Sequence, residues 1–340
     1  MGLVKFITRR LALSLLVLFG VATIVFVLTR IIPSDPASLY LGPRARPAEI
    51  ADIQRRFGFD RPVIEQYAQY MRALARGDLG TSLATKRPVV QELGSRLAAT
   101  LELLVAAMLL AVVVGIPLGV LSTRLRGGVG EALVRVTSVV GVSMPAFWLG
   151  LLLQLVFVHL LGWFPAAGRV DGGLRFVAPI TSFTGLNLLD TLLTGNLVAF
   201  RDAFMHLVLP AFTLAAYPIG LVTRMTRAAM LEVLSQDYIR TARAYGVAER
   251  RVLSRFALRN AIGPTLTVIG LTMAFMLTGT FYVEVIYAWP GLGSFTVRSF
   301  LNVDYPAILG MTLFGAAGYV VINLIVDAGQ AFFDPRVRVA

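Results

Sequence analysis

The 340-residue chain is 57% hydrophobic and only 15% charged, with a mean hydropathy of +0.76, which excludes a soluble globular domain and assigns it to lipid. It contains no cysteine, so disulfides, thiolate metal sites and cysteine nucleophiles are excluded. The formal net charge of +12 is no nucleic-acid footprint, because the arginines lie between apolar runs without the interleaved aromatics of a binding platform; the positive-inside rule accounts for them.

Lys5, Arg9 and Arg10 precede an apolar run at residues 11–28. The run is too long for a cleaved signal, and Arg30, Ile31, Ile32 and Pro33 stand where a small-residue cleavage site would be. Residues 1–32 therefore read as a cytoplasmic start and a retained first span. Residues 33–96 mix charges of both signs with Pro, Gly and Tyr and hold no apolar window of about 18 residues, the pattern of a small extracytoplasmic domain. Within it Ile64, Tyr67, Tyr70, Met71 and Leu74 share one face of an expected helix over 64–74, as local core.

Residues 97–340 form the expected core. Apolar runs at 99–121, 136–160, 204–222, 262–283 and 307–326 are each long enough to cross about 30 Å of hydrocarbon. The expected fold is an all-α polytopic membrane protein with six transmembrane helices. Gly115 and Gly119 form a G-x-x-x-G pair that permits close helix packing, and Pro117 between them can kink the second span. The charges orient the bundle. Arg124, Arg126 and segment 224–261 fall in the cytoplasm with both termini, and 162–203 and 284–305 fall outside. The stretch 224–259 holds eight arginines against Glu232, Asp237 and Glu249.

That cytoplasmic segment reads as two short helices. Ser235 caps the first, Asp237 sits in its first turn where an anion is favoured, and Gly246 ends it in the left-handed conformation. The second, over 248–260, pairs Val252 with Phe256 and Leu253 with Ala257, presents Arg250, Arg251, Arg255 and Arg259 to phosphate or water, and lies along the membrane surface.

The run Asp237-Tyr238-Ile239-Arg240-Thr241-Ala242-Arg243-Ala244-Tyr245-Gly246, followed by Ala257-Leu258-Arg259-Asn260-Ala261 and Pro264, resembles the coupling segment of ABC-importer permeases of the dipeptide, oligopeptide and nickel branch. Further landmarks of that family follow in order: Ile32-Pro33-Ser34-Asp35-Pro36, Gly77-Asp78-Leu79-Gly80-Thr81-Ser82, Arg87-Pro88-Val89, Ser143-Met144-Pro145-Ala146-Phe147, Trp289-Pro290-Gly291-Leu292-Gly293 and Asp304-Tyr305-Pro306. The general consensus begins Glu-Ala-Ala where this chain has Arg240-Thr241-Ala242, which removes a carboxylate.

The resemblance implies a type I ABC importer permease fold in a bacterial inner membrane. It implies that Asp237, Tyr238, Arg240, Thr241, Ala242, Arg243, Ala244, Gly246, Arg250 and Arg251 dock an ATPase, and that Ser143, Met144, Phe147 and Asn323 border the translocation path. The implied partners are a homologous second permease, two ATPase subunits and an external substrate-binding protein. The implied cargo is a di- or oligopeptide, with a nickel chelate or glutathione as the alternative within the family.

The chain has no G-x-x-x-x-G-K-[ST] loop, and its only lysines are Lys5 and Lys86, so ATP and Mg are expected on the partner subunits and no cofactor on this chain. A self-contained secondary carrier would need carboxylates near the midplane. Here Glu102, Arg135, His159, His206, Glu284 and Asp327 all fall near span ends, and Gln154 and Asn323 read as interhelical hydrogen-bonding groups. Gly141-Val142-Ser143 with His206 does not make a serine hydrolase, since Met144-Pro145 replaces the second glycine of a nucleophile turn.

Overall fold

The computed structural model describes residues 3–31, 41, 46–58, 60–125 and 128–333. The Ile32-Pro33-Ser34-Asp35-Pro36 landmark and Arg126 lie outside the described residues. Helices run in the order α1 (Leu3–Ile31), α2 (Pro47–Phe57), α3 (Val63–Ala75), α4 (Val89–Arg124), α5 (Val129–Ser143) and α6 (Ala146–Leu153), the last continued by a π-helix at Gln154–Leu160. Then come α7 (Leu174–Val177), α8 (Asn187–Leu193), α9 (Leu197–Leu234), α10 (Asp237–Ala244), α11 (Glu249–Arg251) with a π-helix at Val252–Ala257, α12 (Leu258–Gly279), α13 (Phe281–Ile286), α14 (Leu292–Leu301) and α15 (Tyr305–Phe333). No strand forms among the described residues, where Thr81 and Pro88 make an isolated bridge. Five helical stretches are long and apolar enough to cross a membrane, and α5 with α6 makes a sixth if the bent pair is one span.

Four expectations need correction. The third span, read as continuous over 136–160, is broken, with α5 and α6 meeting at 106°. Pro145 is the cause: it lacks an N–H and holds Met144 in extended backbone, φ −79° and ψ 124°. The second and fourth spans extend well beyond 99–121 and 204–222, to 36 and 38 residues, because their ends are amphipathic turns that a hydropathy window does not register. The helix expected along the membrane surface is no separate element, since Glu249–Leu277 is one stretch that becomes the fifth span. In the segment between the first and second spans, Ile64 is 82% exposed and no core residue; Tyr67 and Tyr70 of α3 have their rings 5.3 and 5.5 Å from Phe26 on α1.

The two longest helices, α4 and α9, form the axis of the bundle. Leu103, Leu104, Ala107 and Ala111 of α4 are buried against Leu207, Ala211 and Ala215 of α9, and Tyr287 and Trp289 close the same cluster. The small residues set the spacing. A methyl on Gly119 would lie 2.6 Å from Thr226 Cβ and 2.8 Å from the Thr223 carbonyl oxygen, and one on Gly115 2.9 Å from Val222 Cγ1. The pair therefore acts as the close-packing device its spacing predicts. Helix α4 runs unbroken through Pro117.

Gly119→Leu is expected to force these helices apart and to destabilise the chain by roughly 1–3 kcal/mol, as overpacking does. Gly94→Ala, on the same helix but facing open space, should leave stability unchanged or slightly raised. Thermal unfolding of the two variants in one detergent measures the contrast.

Candidate functional site: a helical elbow and a set of buried carboxylates at the opposite end

At one end of the bundle α9 terminates at Leu234 and the chain turns into α10. Ser235 is not the cap that its position suggested. It still has helical backbone, and its hydroxyl donates back to the Glu232 carbonyl at 2.7 Å. The residue in the capping position is Gln236, extended at φ −73° and ψ 149°, with no side-chain cap bond; Asp237 follows in the first turn as expected. Helix α10 is pinned by burial: Ile239 enters a cluster with Met230 of α9 and Val252, Leu253, Ala257 and Ala261 at the base of the fifth span, and Ala242 is buried as well.

The far end of α10 closes as its glycine predicts. Gly246 has φ +71°, its amide donates to the Arg243 carbonyl at 2.9 Å, and the Val247 amide donates to the Ala242 carbonyl at 3.1 Å. These are the two bonds of a Schellman motif, and they need the left-handed residue between them. Across the turn Arg243 forks onto Glu249, Nη2 to Oε1 at 2.8 Å and Nε to Oε2 at 3.2 Å. Tyr238 ties the front of the helix to the fifth span, since its hydroxyl donates to the Phe256 carbonyl at 3.3 Å and accepts from Asn260 Nδ2 at 2.9 Å.

The ten residues singled out for ATPase docking thus divide. Ala242 is buried within the chain, and the Tyr238 hydroxyl and the Arg243 guanidinium have internal partners. Asp237, Arg240, Thr241, Ala244, Gly246, Arg250 and Arg251 are exposed, and a methyl added to Gly246 would meet nothing within 4 Å. The elbow is a rigid projection with a bare outer surface.

The opposite end holds five buried carboxylates that sequence reasoning missed as a group, of which Glu92 pairs with Arg96 one turn on at 2.7 Å. Glu284 on α13 is fully buried; it accepts from the Thr100 hydroxyl at 2.7 Å and the Ser294 amide at 2.9 Å, and it packs against Gly291 and Gly293, where a side chain would collide with it. Glu102 accepts from Arg169 at 2.5 Å and from the Leu188 amide at 2.8 Å. Asp304 accepts from the Ser82 hydroxyl at 2.5 Å and the Leu83 and Ala84 amides at 3.0 and 3.1 Å. Asp190 accepts from the Thr184 hydroxyl at 2.7 Å and the Gly185 amide at 3.0 Å. Trp289 adds a bond from its indole N–H to the Ala99 carbonyl at 2.8 Å. Glu102 and Glu284, placed near span ends by the sequence, are enclosed there, each with donors that compensate the cost of burying a charge. The legible signal was the order of the landmarks, because the segments around Ser82, Trp289 and Asp304 are the ones brought together here.

The proposed path residues are dispersed. Ser143 is exposed at the end of α5, Met144 is half-buried at the break, and Phe147 is 47% exposed with its ring 6.3 Å from that of Tyr282. Asn323 is half-buried on α15, whose main packing partners are α1 and α12. Gln154 makes the interhelical bonds expected of it, donating to the carbonyls of Ile286 at 3.0 Å and Ala166 at 2.9 Å. A cavity of about 590 Å³ at the carboxylate end is lined by Arg169, Ser182, Asn187 and Pro290 among others.

The bundle and its elbow define the class: a polytopic helical membrane protein with a solid helical projection between its fourth and fifth spans. Comparison with known proteins supplies the family. Residues 115–339 match the family described as "Binding-protein-dependent transport system inner membrane component", and residues 3–104 match the N-terminal family described as "Binding-prot-dependent transport system membrane comp, N-term". The chain is 44% identical over 322 residues to the probable D,D-dipeptide transport system permease protein of Escherichia coli strain K12, covering 95% of this chain and 94% of that one. It is 41% identical to the dipeptide transport system permease protein of Alkalihalophilus pseudofirmus, covering 97% and 98%. To the glutathione transport system permease protein of Salmonella paratyphi A it is 34% identical, covering 99% of each chain. The chain belongs to the family of binding-protein-dependent transport system inner membrane components.

Asp190 generates a pH prediction. Burial pushes its carboxyl up, but the bonds from the Thr184 hydroxyl and the Thr184 and Gly185 amides outweigh burial and hold it below the usual carboxylate range. A depressed folded pKa contributes stability above the unfolded value of about 3.9, and that contribution is lost as pH falls through the folded value. Hydrogen-exchange protection of residues 183–191 should therefore persist at neutral pH and collapse in acid. In Asp190→Asn the protection should be lower at neutral pH and flat across the same range.

Proposed function

We propose that the chain is one of two membrane-spanning halves of an ATP-driven importer for short peptides. Its partners in this reading are a homologous second permease, two ATPase subunits that hold ATP and Mg, and an external binding protein that delivers the cargo. Residues 33–96 form an extracytoplasmic domain, which receives the binding protein together with the loops at 162–203 and 284–305. The termini and segment 224–261 are cytoplasmic, and Ser143, Met144, Phe147 and Asn323 border the path. The observation that carries the reading is the elbow at Asp237–Gly246, bare on its outside and locked on its inside, within a chain alike over nearly its full length to dipeptide permeases.

The mechanics follow from the attachment. A push on α10 cannot be absorbed locally, because Ile239 packs against the end of α9 and the base of the fifth span at once and Tyr238 bonds to the latter. Helix α9 has 38 residues and spans about 57 Å at 1.5 Å per residue. A nucleotide-driven stroke at the elbow therefore reaches the carboxylate end as a rigid displacement of α9. The chain contributes no bond chemistry; its work is translocation. The glutathione permease relative favours a second cargo, although the identity of 34% is lower than the 44% and 41% to the dipeptide relatives.

Gly246 provides the test. Gly246→Asp keeps a residue type that tolerates the left-handed conformation and adds bulk and charge on the bare surface. ATPase subunits co-expressed with the variant are expected to be lost on affinity purification while the chain still inserts and retains its second permease. Undiminished ATPase recovery would overturn the docking assignment. Ligand binding by the cognate binding protein decides between dipeptide and glutathione cargo.

A further inference from the structure

A second cavity, about 710 Å³, lies between α1, α3, α4 and α15 and has no part in the elbow or the carboxylate set. Its walls include Leu18 and Phe19 of α1, Met71 and Leu74 of α3, Leu93 of α4 and Phe314 of α15. Every residue lining it is aliphatic, aromatic, methionine or glycine. Its volume falls within the range of about 300–1,000 Å³ typical of small-molecule sites. Three of its four walls are helices that cross the membrane, so the medium that meets its mouth is hydrocarbon as well as water.

Charge marks one side of this cavity. Arg72 follows the lining residue Met71, and Arg76 stands between the lining residues Ala75 and Gly77. The two arginines are four residues apart, both are exposed, and neither side chain has an acidic partner among the described residues. The nearest acid in sequence, Asp78, is exposed and accepts from the Gly80 amide at 2.8 Å.

We infer that this cavity binds one acyl chain of an anionic phospholipid of the outer leaflet, with its phosphate held by Arg72 and Arg76. The leaflet rests on the orientation proposed above; the binding does not. A lipid tail gains no hydrophobic free energy by moving from bilayer into an apolar groove, so selection for this lipid has to come from the headgroup. Arginines at a membrane surface contribute roughly a fivefold preference for anionic lipid each. Phosphatidylglycerol is therefore favoured over phosphatidylethanolamine, and the bound lipid fastens α3 to the core, where its contacts with protein are few and no residue of α3 is buried.

Gly94 gives a direct probe. It lines the cavity, and a Cβ added there meets nothing within 4 Å, so Gly94→Trp starts into open space and is aimed to fill it. The full chain, reconstituted in vesicles of phosphatidylethanolamine doped with phosphatidylglycerol and then extracted in detergent, is assayed for retained lipid by mass spectrometry. The wild-type chain should retain phosphatidylglycerol above its share in the vesicle. Arg72→Gln with Arg76→Gln should lose that preference, and Gly94→Trp should lose the retained lipid; Gly94→Leu serves if the larger plug prevents folding. Equal retention of the two lipids by the wild-type chain overturns the inference. So does unchanged retention in both plugged variants. Loss of the second permease from Gly94→Trp with lipid retention unaltered would assign the cavity to the permease interface instead. ATPase recovery is read separately at Gly246, so failure of either proposal leaves the other standing.

Discussion

The close contact of α4 and α9 sets the geometry on which the rest depends. Two glycines four residues apart let the α4 backbone settle against Val222, Thr223 and Thr226 of α9. In lipid there is no hydrophobic gain in bringing two apolar helices together, so association relies on packing, and packing relies on the absence of side chains at these points. With this seam closed, α9 becomes a strut of about 57 Å, 38 residues at 1.5 Å each, with a different kind of attachment at either end.

The two ends use opposite physics. At the elbow the fastening is apolar burial of Ile239, Val252 and Leu253, finished by a glycine turn and a half-exposed Arg243–Glu249 fork. At the far end it is a set of buried carboxyl groups, among them Glu284, Glu102, Asp304 and Asp190, each with hydroxyl, amide or guanidinium donors. Such groups specify geometry sharply, because a carboxylate displaced from its donors inside a low-dielectric site has nothing to replace them. The arrangement suits the proposed importer. In that proposal the driven end is a compact apolar knuckle, and the receiving end is a set of directional contacts.

The breaks in the third and fifth spans belong to the same logic. Pro145 ends the helical run at Met144, and a one-residue turn at Thr280, still in helical backbone at φ −68° and ψ −17°, separates α12 from α13; Phe147 and Tyr282, just beyond these points, lie ring to ring. Broken helices within a membrane are tolerated only where protein or a water-lined cavity satisfies the freed backbone groups, and Phe147 and Tyr282 stand 47% and 50% exposed beside them.

Much of this was legible from residue order. Apolar runs of sufficient length dictate five crossings and the bent pair that makes a sixth if it is one span, Gly246 dictates a left-handed end to α10, and Gly115 with Gly119 dictate a close seam, because each depends on local chemistry: chain length against membrane thickness, the missing Cβ, the spacing of a helical turn. The tertiary structure alone decided that Glu284 and Asp304 are enclosed, that Ala242 faces inward while Thr241 faces out, that Ser235 yields the capping position to Gln236, and that Ile64 stands clear of the core. Those outcomes rest on partners tens to hundreds of residues away, such as Thr100 for Glu284 and Ser82 for Asp304, and no local period or propensity encodes which distant donor a buried carboxylate will meet.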